Sequence, residues 1–357
     1  MKIAFFGSSL VSAYWNGAAT YYRGIIRALH ELGYEITFYE PDAYDRQKHR
    51  DIPDPDWARV VVYPVDDETG VLKALEHARG ADMLVKTSGV GVYDQLLEAA
   101  VLAFRDGHTM TVFWDVDAPA TLDRVNADPR DPFKELIPQY DLILTYGGGE
   151  PVVRSYKSLG ARECVPIYNA LDPDTHHPVP SERRFECDLA LLANRLPDRE
   201  ARIEQFFLAA AQRLPERRFV LGGSGWADKA MSQNVNYVGH VYTCDHNSFN
   251  CSARAVLNVN RDSMVSYGFS PPTRIFEAAG AAACLITDAW AGIETFLTPD
   301  SEVLVARDAD EVVEHLKSLD EERARRIGEA ALQRVLAEHT YRHRALEFQE
   351  LFVGAFG

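Results

Sequence analysis

Cysteine is scarce. The 357 residues hold five (Cys164, Cys187, Cys244, Cys251, Cys284), an odd number with no CxxC pair. That excludes a redox CxxC motif, and a reduced, cytoplasmic setting fits it best. No apolar run reaches the ~18–20 residues of a membrane helix, and the start lacks the charged and apolar regions of a signal peptide. Positive charge is in deficit too: 37 Lys and Arg against 53 Asp and Glu leave a formal net charge of −16. Coating a duplex needs clustered cations, so no nucleic-acid partner is expected, while a local basic pocket for one small anion stays open. There is no short repeat, low-complexity tract or heptad run, so the oligomeric state leaves no mark.

What is there is globular. Hydrophobic residues make up 46% and charged residues 25%, and the length suits about two domains of ~150 residues. Residues 2–7 read as a buried parallel strand, followed by a loop of small residues through Gly17. Tyr22, Ile25, Ile26, Leu29 and Leu32 then recur at helical spacing, Gly33 stops the helix, and 35–40 form a second strand. Short β-branched and aromatic runs at 60–63, 83–85, 109–114 and 142–145 continue the series, with helices expected at 71–79 and 92–105. Buried strands alternating with helices predict a doubly wound parallel sheet.

After Pro166 the pattern breaks. Residues 167–184 hold Asp172-Pro173, His177-Pro178 and Pro180 and read as a linker. A second alternation follows: strands at 187–192, 218–221, 235–238, 255–259, 283–287 and 303–305, and helices at 199–213, 272–281, 320–338 and 341–352. The expected domains are 1–166 and 185–338, with 339–357 as a C-terminal helix returning to the first domain. Two Rossmann-like halves facing a central cleft place function in the loops beyond the strands' carboxyl ends.

Three such loops stand out. Gly7-Ser8-Ser9, with Asn16 and Gly17 before the first helix, either lets a ligand approach backbone N–H groups or makes a tight turn; it is not a full GxGxxG. Gly222-Gly223-Ser224-Gly225 has the glycines of an anion nest, and the absence of a following Lys-Ser/Thr pair excludes a Walker loop. In the third, two prolines open a helix in which Arg274 and Glu277, three apart, share a face. Arg can fork onto a diphosphate and a carboxylate can accept from both ribose hydroxyls; the plain alternative is a surface ion pair.

The run SPPTRIFEAAGAAACLITDAW (270–290) resembles the nucleotide-binding signature of GT-B glycosyltransferases, specifically the CgeB-like, spore-maturation branch of the group 1 enzymes. GSSLVSAYWNGAATYYRGIIRAL, FWDVDAPATL, LTYGGGEPV and LNVNRDSM match in order along the chain. The resemblance implies a GT-B fold and a nucleotide-sugar donor bound by the C-terminal half. It also implies a hydroxyl acceptor on the N-terminal half and a metal-independent transfer with retention of configuration.

The resemblance also assigns residues. Glu277 would hold the donor ribose. A second glutamate that contacts the sugar in related enzymes is replaced here by Phe269. Arg195 and Arg199 would clamp the diphosphate, or either is a solvated charge at a helix start. Arg261 and Arg274 would join them, as would Gly223 and Ser224 if their loop is more than a plain turn, and His240 would contact the base or phosphate or lie on the surface. Asp115 and Asp117 end a strand of the first half, as acceptor or sugar ligands, as a general base, or as caps of the next turn. Tyr146-Gly147 would line the cleft or form a flexible turn. His176-His177 lies in the linker, and Cys244-Asp-His246 with Cys251 matches no common zinc spacing, so no metal and no cofactor beyond the co-substrate is expected. A sugar-nucleotide epimerase of the same fold, or a non-catalytic sugar-nucleotide-binding partner, are the competing readings.

Overall fold

The computed structural model describes residues 1–14 and 16–352; Trp15 and 353–357, the end of the expected C-terminal segment, lie outside the described residues. The chain divides into two compact units, Met1–Asn169 with the segment from Tyr341 onward, and Ala170–Thr340.

Unit 1 is a parallel sheet of seven strands: β1 (Lys2–Phe6), β2 (Glu35–Pro41), β3 (Arg59–Tyr63), β4 (Met83–Thr87), β5 (Met110–Asp115), β6 (Leu142–Thr145) and β7 (Cys164–Pro166). Their order is β3-β2-β1-β4-β5-β6-β7, and every pairing is parallel. Strands β4, β5 and β6 are almost wholly buried, as expected where helices cover both faces of a parallel sheet. The helix Tyr341–Glu350 packs within this unit. Trp114 of β5 stacks on Phe348 at 5.6 Å between centroids, and Tyr341 leaves no room for a Cβ at Gly24, which would lie 2.2 Å from its ring. Tyr21 ties the layer together, accepting from Trp114 Nε1 at 2.9 Å and donating to the Ile167 carbonyl at 2.7 Å.

Unit 2 is a second parallel sheet, of six strands: β8 (Cys187–Leu192), β9 (Phe219–Gly222), β10 (Val235–Gly239), β11 (Ala253–Asn258), β12 (Leu285–Asp288) and β13 (Leu304–Ala306), ordered β10-β9-β8-β11-β12-β13. One face carries Leu189, Leu191, Phe219, Leu257 and Ile286, which share a core cluster with Phe207 of the stretch Glu204–Leu208. Each sheet reverses its order beside its first strand, at β1/β4 in unit 1 and at β8/β11 in unit 2. Such reversals open the crevice where ligands bind in open α/β sheets.

The structure departs from the sequence reading in places. β7 and the helices Ala118–Ala127, Gly149–Ser158 and Ala309–Ser318 were not expected. The single helix expected at 199–213 is Pro197–Ile203 and Ala209–Arg213 joined by a wider π turn at Glu204–Leu208. Residues 170–184 are part of unit 2, with Leu171 N donating to the His339 carbonyl at 2.7 Å. Among the described residues no helix is long and apolar enough to cross a membrane.

Candidate functional site

In unit 2 the loops after β8 and β11 flank the sheet's reversal point, and the candidate guanidinium groups fall on them and on the helix Thr273–Gly280. Arg199 sits in the first turn of Pro197–Ile203. One nitrogen donates to the Asn194 carbonyl at 2.9 Å, and Nε is buried without a partner. Burial first, and then the charges of Arg274 and Arg261, push its pKa down to about 10, against the nearby Asp198 and Asp288. The neighbouring cations are neutralised: Arg261 pairs with Asp198, and Arg202 with Asp288 at 2.7 Å and Asp262 at 3.3 Å. Among the described residues Arg199 has no carboxylate at ion-pair distance. A guanidinium partly buried beside other guanidinium groups favours an arriving anion.

One turn into Thr273–Gly280, Glu277 is buried (6% exposed). Its Oε2 lies 2.8 Å from Arg274 Nη1, and its Oε1 lies 4.0 Å from His176 Nε2. His246, at the start of His246–Ser252, completes the group, its ring 5.9 Å from that of His176. Burial alone would raise the Glu277 pKa, but Arg274 foremost, then His176 and His246, overcome it and hold the carboxyl at about 2. Burial, reinforced by Arg274, lowers His246 to about 4, and burial lowers His176 against the pull of Glu277. At neutral pH the cluster is therefore an ionised carboxylate, a guanidinium and two neutral imidazoles.

The other expected donor contacts are placed differently. The Gly223 amide donates to the Gly239 carbonyl at 2.7 Å, and the Ser224 amide to Asn194 Oδ1 at 2.9 Å. Both amides of the expected nest are consumed by the fold. Gly223 is required for shape: its φ is +121°, and a Cβ would meet the Ala193 carbonyl oxygen at 2.1 Å. Arg195 lies between Glu200 at 2.7 Å and Asp228 at 2.9 Å and is engaged as a surface ion pair. His240 is exposed and stands edge-on to the ring of Tyr242. Phe269, in place of the second glutamate, takes φ +46° and lies against Gly292.

In unit 1 the expected open ligands are largely internal. Asp115 is fully buried. It accepts from the Tyr156 hydroxyl at 2.5 Å, the Asp117 amide at 3.0 Å and the Thr121 hydroxyl at 3.1 Å. Burial raises its pKa against the hydrogen bonds from Tyr156 and Ser88. That is a strand-end lock, and it corrects the reading of Asp115 as an acceptor ligand or base. Asp117 is half-buried at the start of Ala118–Ala127 and does not cap that helix with its side chain.

Ser8 donates to Asn16 Oδ1 at 2.9 Å, Ser9 donates to Glu40 Oε1 at 3.0 Å, and Asn16 donates to the Ser9 and Ser12 carbonyls. These buried groups satisfy one another and hold the loop shut, so they are not the open ligand contacts expected. A Cβ on Gly7 would lie 2.4 Å from the Phe38 ring, so packing requires that glycine; Gly17 is exposed, with open space around it. The Tyr146 amide donates to the Asp115 carbonyl at 3.2 Å, and Gly147 is buried.

Residues 199–350 match the family described as glycosyl transferase-like. No curated protein matches the chain. Among solved structures it is similar to sucrose-phosphate synthase from Thermosynechococcus elongatus, at 15% identity over 100% of this chain and 99% of that one, with a TM-score of 0.75. It is also similar to Anabaena HepE in complex with UDP and glucose, at 13% identity over 99% and 100% of the two chains, TM-score 0.71. The lipopolysaccharide outer core galactosyltransferase WaaB, at 15% identity over 99% and 100%, has a TM-score of 0.61. The two parallel Rossmann-like sheets are thus the GT-B architecture. The glycosyl transferase-like match covers residues 199–350 of that architecture, most of unit 2 and the helix Tyr341–Glu350.

Proposed function

We propose that the protein transfers a sugar from a nucleoside-diphosphate sugar to a hydroxyl acceptor, and that unit 2 binds the donor. The observation that carries this reading is the guanidinium of Arg199 at the β8/β11 reversal, with no carboxylate partner, beside the Arg274–Glu277 pair. The diphosphate would lie on Arg199 with Arg274 and Arg261 turning toward it, and the ribose hydroxyls would donate to Glu277. As the bond between the anomeric carbon and the diphosphate oxygen breaks, negative charge grows on the diphosphate. Arg199, already free of a carboxylate, and the two guanidinium groups that turn to join it would stabilise that charge, by several kcal/mol in sites of this kind. The acceptor oxygen forms the new bond and gives up its proton, and Asp117 is the unit 1 carboxylate we assign to it. No metal is assigned a step.

Complexes of HepE with UDP and with UDP-glucose support a uridine donor. The runs quoted above support the CgeB-like branch and retention of configuration. The test is incubation with UDP-, GDP- and dTDP-sugars, following nucleotide, anomer and epimer by NMR. Acceptor-dependent release of nucleotide with a retained anomer supports the proposal. Epimer without release, or tight binding without product, overturns it.

A further inference from the structure

His176, His246 and Glu277 come from three separate stretches of unit 2, and the fold gathers one ligand atom of each. The tautomers follow from their partners. The Thr175 hydroxyl gives its one proton to the Asp172 carbonyl at 3.1 Å, so its oxygen accepts from His176 Nδ1 at 3.0 Å. His176 Nε2 is then a bare lone pair, buried, unpartnered and 4.0 Å from a carboxylate oxygen. His246 bonds the Val241 backbone through one ring nitrogen, which leaves Nδ1 buried and unpartnered. Buried acceptors left unpaired destabilise the fold, so a group that bonds them is favoured.

One ligand atom from each of the three residues lies within 4.8 Å of the other two. Some point is therefore no more than about 2.8 Å from all three, against bonds of about 2.0–2.2 Å from zinc to imidazole nitrogen and carboxylate oxygen. That space takes one atom. A sugar ring does not fit it, and a water has two protons for three acceptors. We propose that His176, His246 and Glu277 form a site for a zinc-type dication.

Both imidazoles are held by their other nitrogen, His176 on a hydroxyl and His246 on the backbone, the usual support of a metal-ligating histidine. Arg274 is the opposing charge. It engages Oε2, at 2.8 Å, and leaves Oε1 turned to the histidines. The site goes beyond the donor reading and needs no nucleotide, although a cation there and a ribose would claim the same carboxylate.

The full chain, stripped with a chelator, is titrated with Zn2+ by calorimetry and with Co2+ by visible absorption, without nucleotide. One tight zinc per chain and the intense bands of low-coordinate cobalt are expected. His246→Ala and Glu277→Gln should each weaken zinc at least ~100-fold and abolish the bands, and Thr175→Val should weaken it by about tenfold. His177→Ala, an exposed neighbour, should change nothing. Absence of a stoichiometric site or of the bands in the wild-type chain overturns the proposal, whichever variants fold. So does zinc affinity unchanged in folded His246→Ala. Failure to bind UDP in a separate titration would count against the donor reading alone.

Discussion

Replacing Asp115 by Ala separates a structural carboxylate from a chemical one. In the fold its oxygens accept from the Tyr156 hydroxyl, the Thr121 hydroxyl and the Asp117 amide, and the side chain has no exposure. Thr121 keeps a fallback, the Asp117 carbonyl at 3.3 Å. Tyr156 is left buried and unpaired, at about 1–3 kcal/mol, the half-buried Asp117 amide loses its partner at the low end of that range, and a cavity adds to the loss. The desolvation that raises the Asp115 pKa works the other way, because the wild-type chain already bears the cost of burying that carboxyl. The balance is a loss on the order of 4 kcal/mol, or roughly 8–16 °C in Tm for a unit of this size. Thermal and urea unfolding followed by tryptophan fluorescence, with Trp114 in the same strand, reads this directly. Asp117→Ala should move Tm by no more than about 2 °C while lowering turnover. If Asp115→Ala melts within about 2 °C of wild type yet loses turnover, the lock is wrong and Asp115 belongs to the chemistry.

Arg199→Ala should weaken UDP by about ten- to a hundredfold, the scale of a lost charge-assisted hydrogen bond, with Tm unchanged or slightly raised because a crowded cation is gone; calorimetry checks both. Gly223→Ala should destabilise unit 2 by about 3 kcal/mol or more, since a backbone at φ +121° must shift off the Ala193 carbonyl; chemical denaturation measures it. Glu277 is held at about 2 in the fold against an ordinary 4.5, so its contribution is complete above pH 4.5 and is lost as pH falls toward 2. That contribution is up to about 3 kcal/mol, and a Glu277→Gln chain should lack this acid limb in unfolding measured from pH 6 to 2. His246 stays neutral until about pH 4, whereas the unfolded chain binds its proton below about 6.5. Stability should therefore fall as pH drops through that window, and His246→Gln should flatten the slope in the same titration.

The alternation of strands and helices was legible because parallel strands are buried on both faces and read as short apolar runs. Met83–Thr87 and Leu142–Thr145 were found on that signal. What escaped had no such run. β7 is three residues ending in a proline at the sheet edge, and Gly149–Ser158 starts on a glycine triplet that reads as a turn. The π turn at Glu204–Leu208 is invisible to a pattern count, because it changes ring size within an unbroken helical stretch.

The site was legible to different degrees for a physical reason. Ser8, Ser9, Asn16, Gly223 and Ser224 were read as ligand contacts because small polar residues after a strand expose amides and hydroxyls. The same chemistry satisfies a buried loop, and here the loop takes it: Glu40 reaches Ser9 across thirty-one positions, and Asn194 reaches the Ser224 amide across thirty. Whether such a group faces a ligand or a neighbour depends on a partner that sequence spacing does not reveal. The pairing of Arg274 with Glu277 was legible because three-residue spacing on a helix places both side chains by itself. His176 lies in a proline-rich stretch read as a linker, and His246 was grouped with Cys244 and Cys251 instead. Neither has local spacing to Glu277: the His176 pair spans about a hundred positions, and only the closure of unit 2 brings it to 4.0 Å. Local chemistry is thus readable where one element carries both partners, whereas a cluster assembled from three elements exists only once the unit has closed.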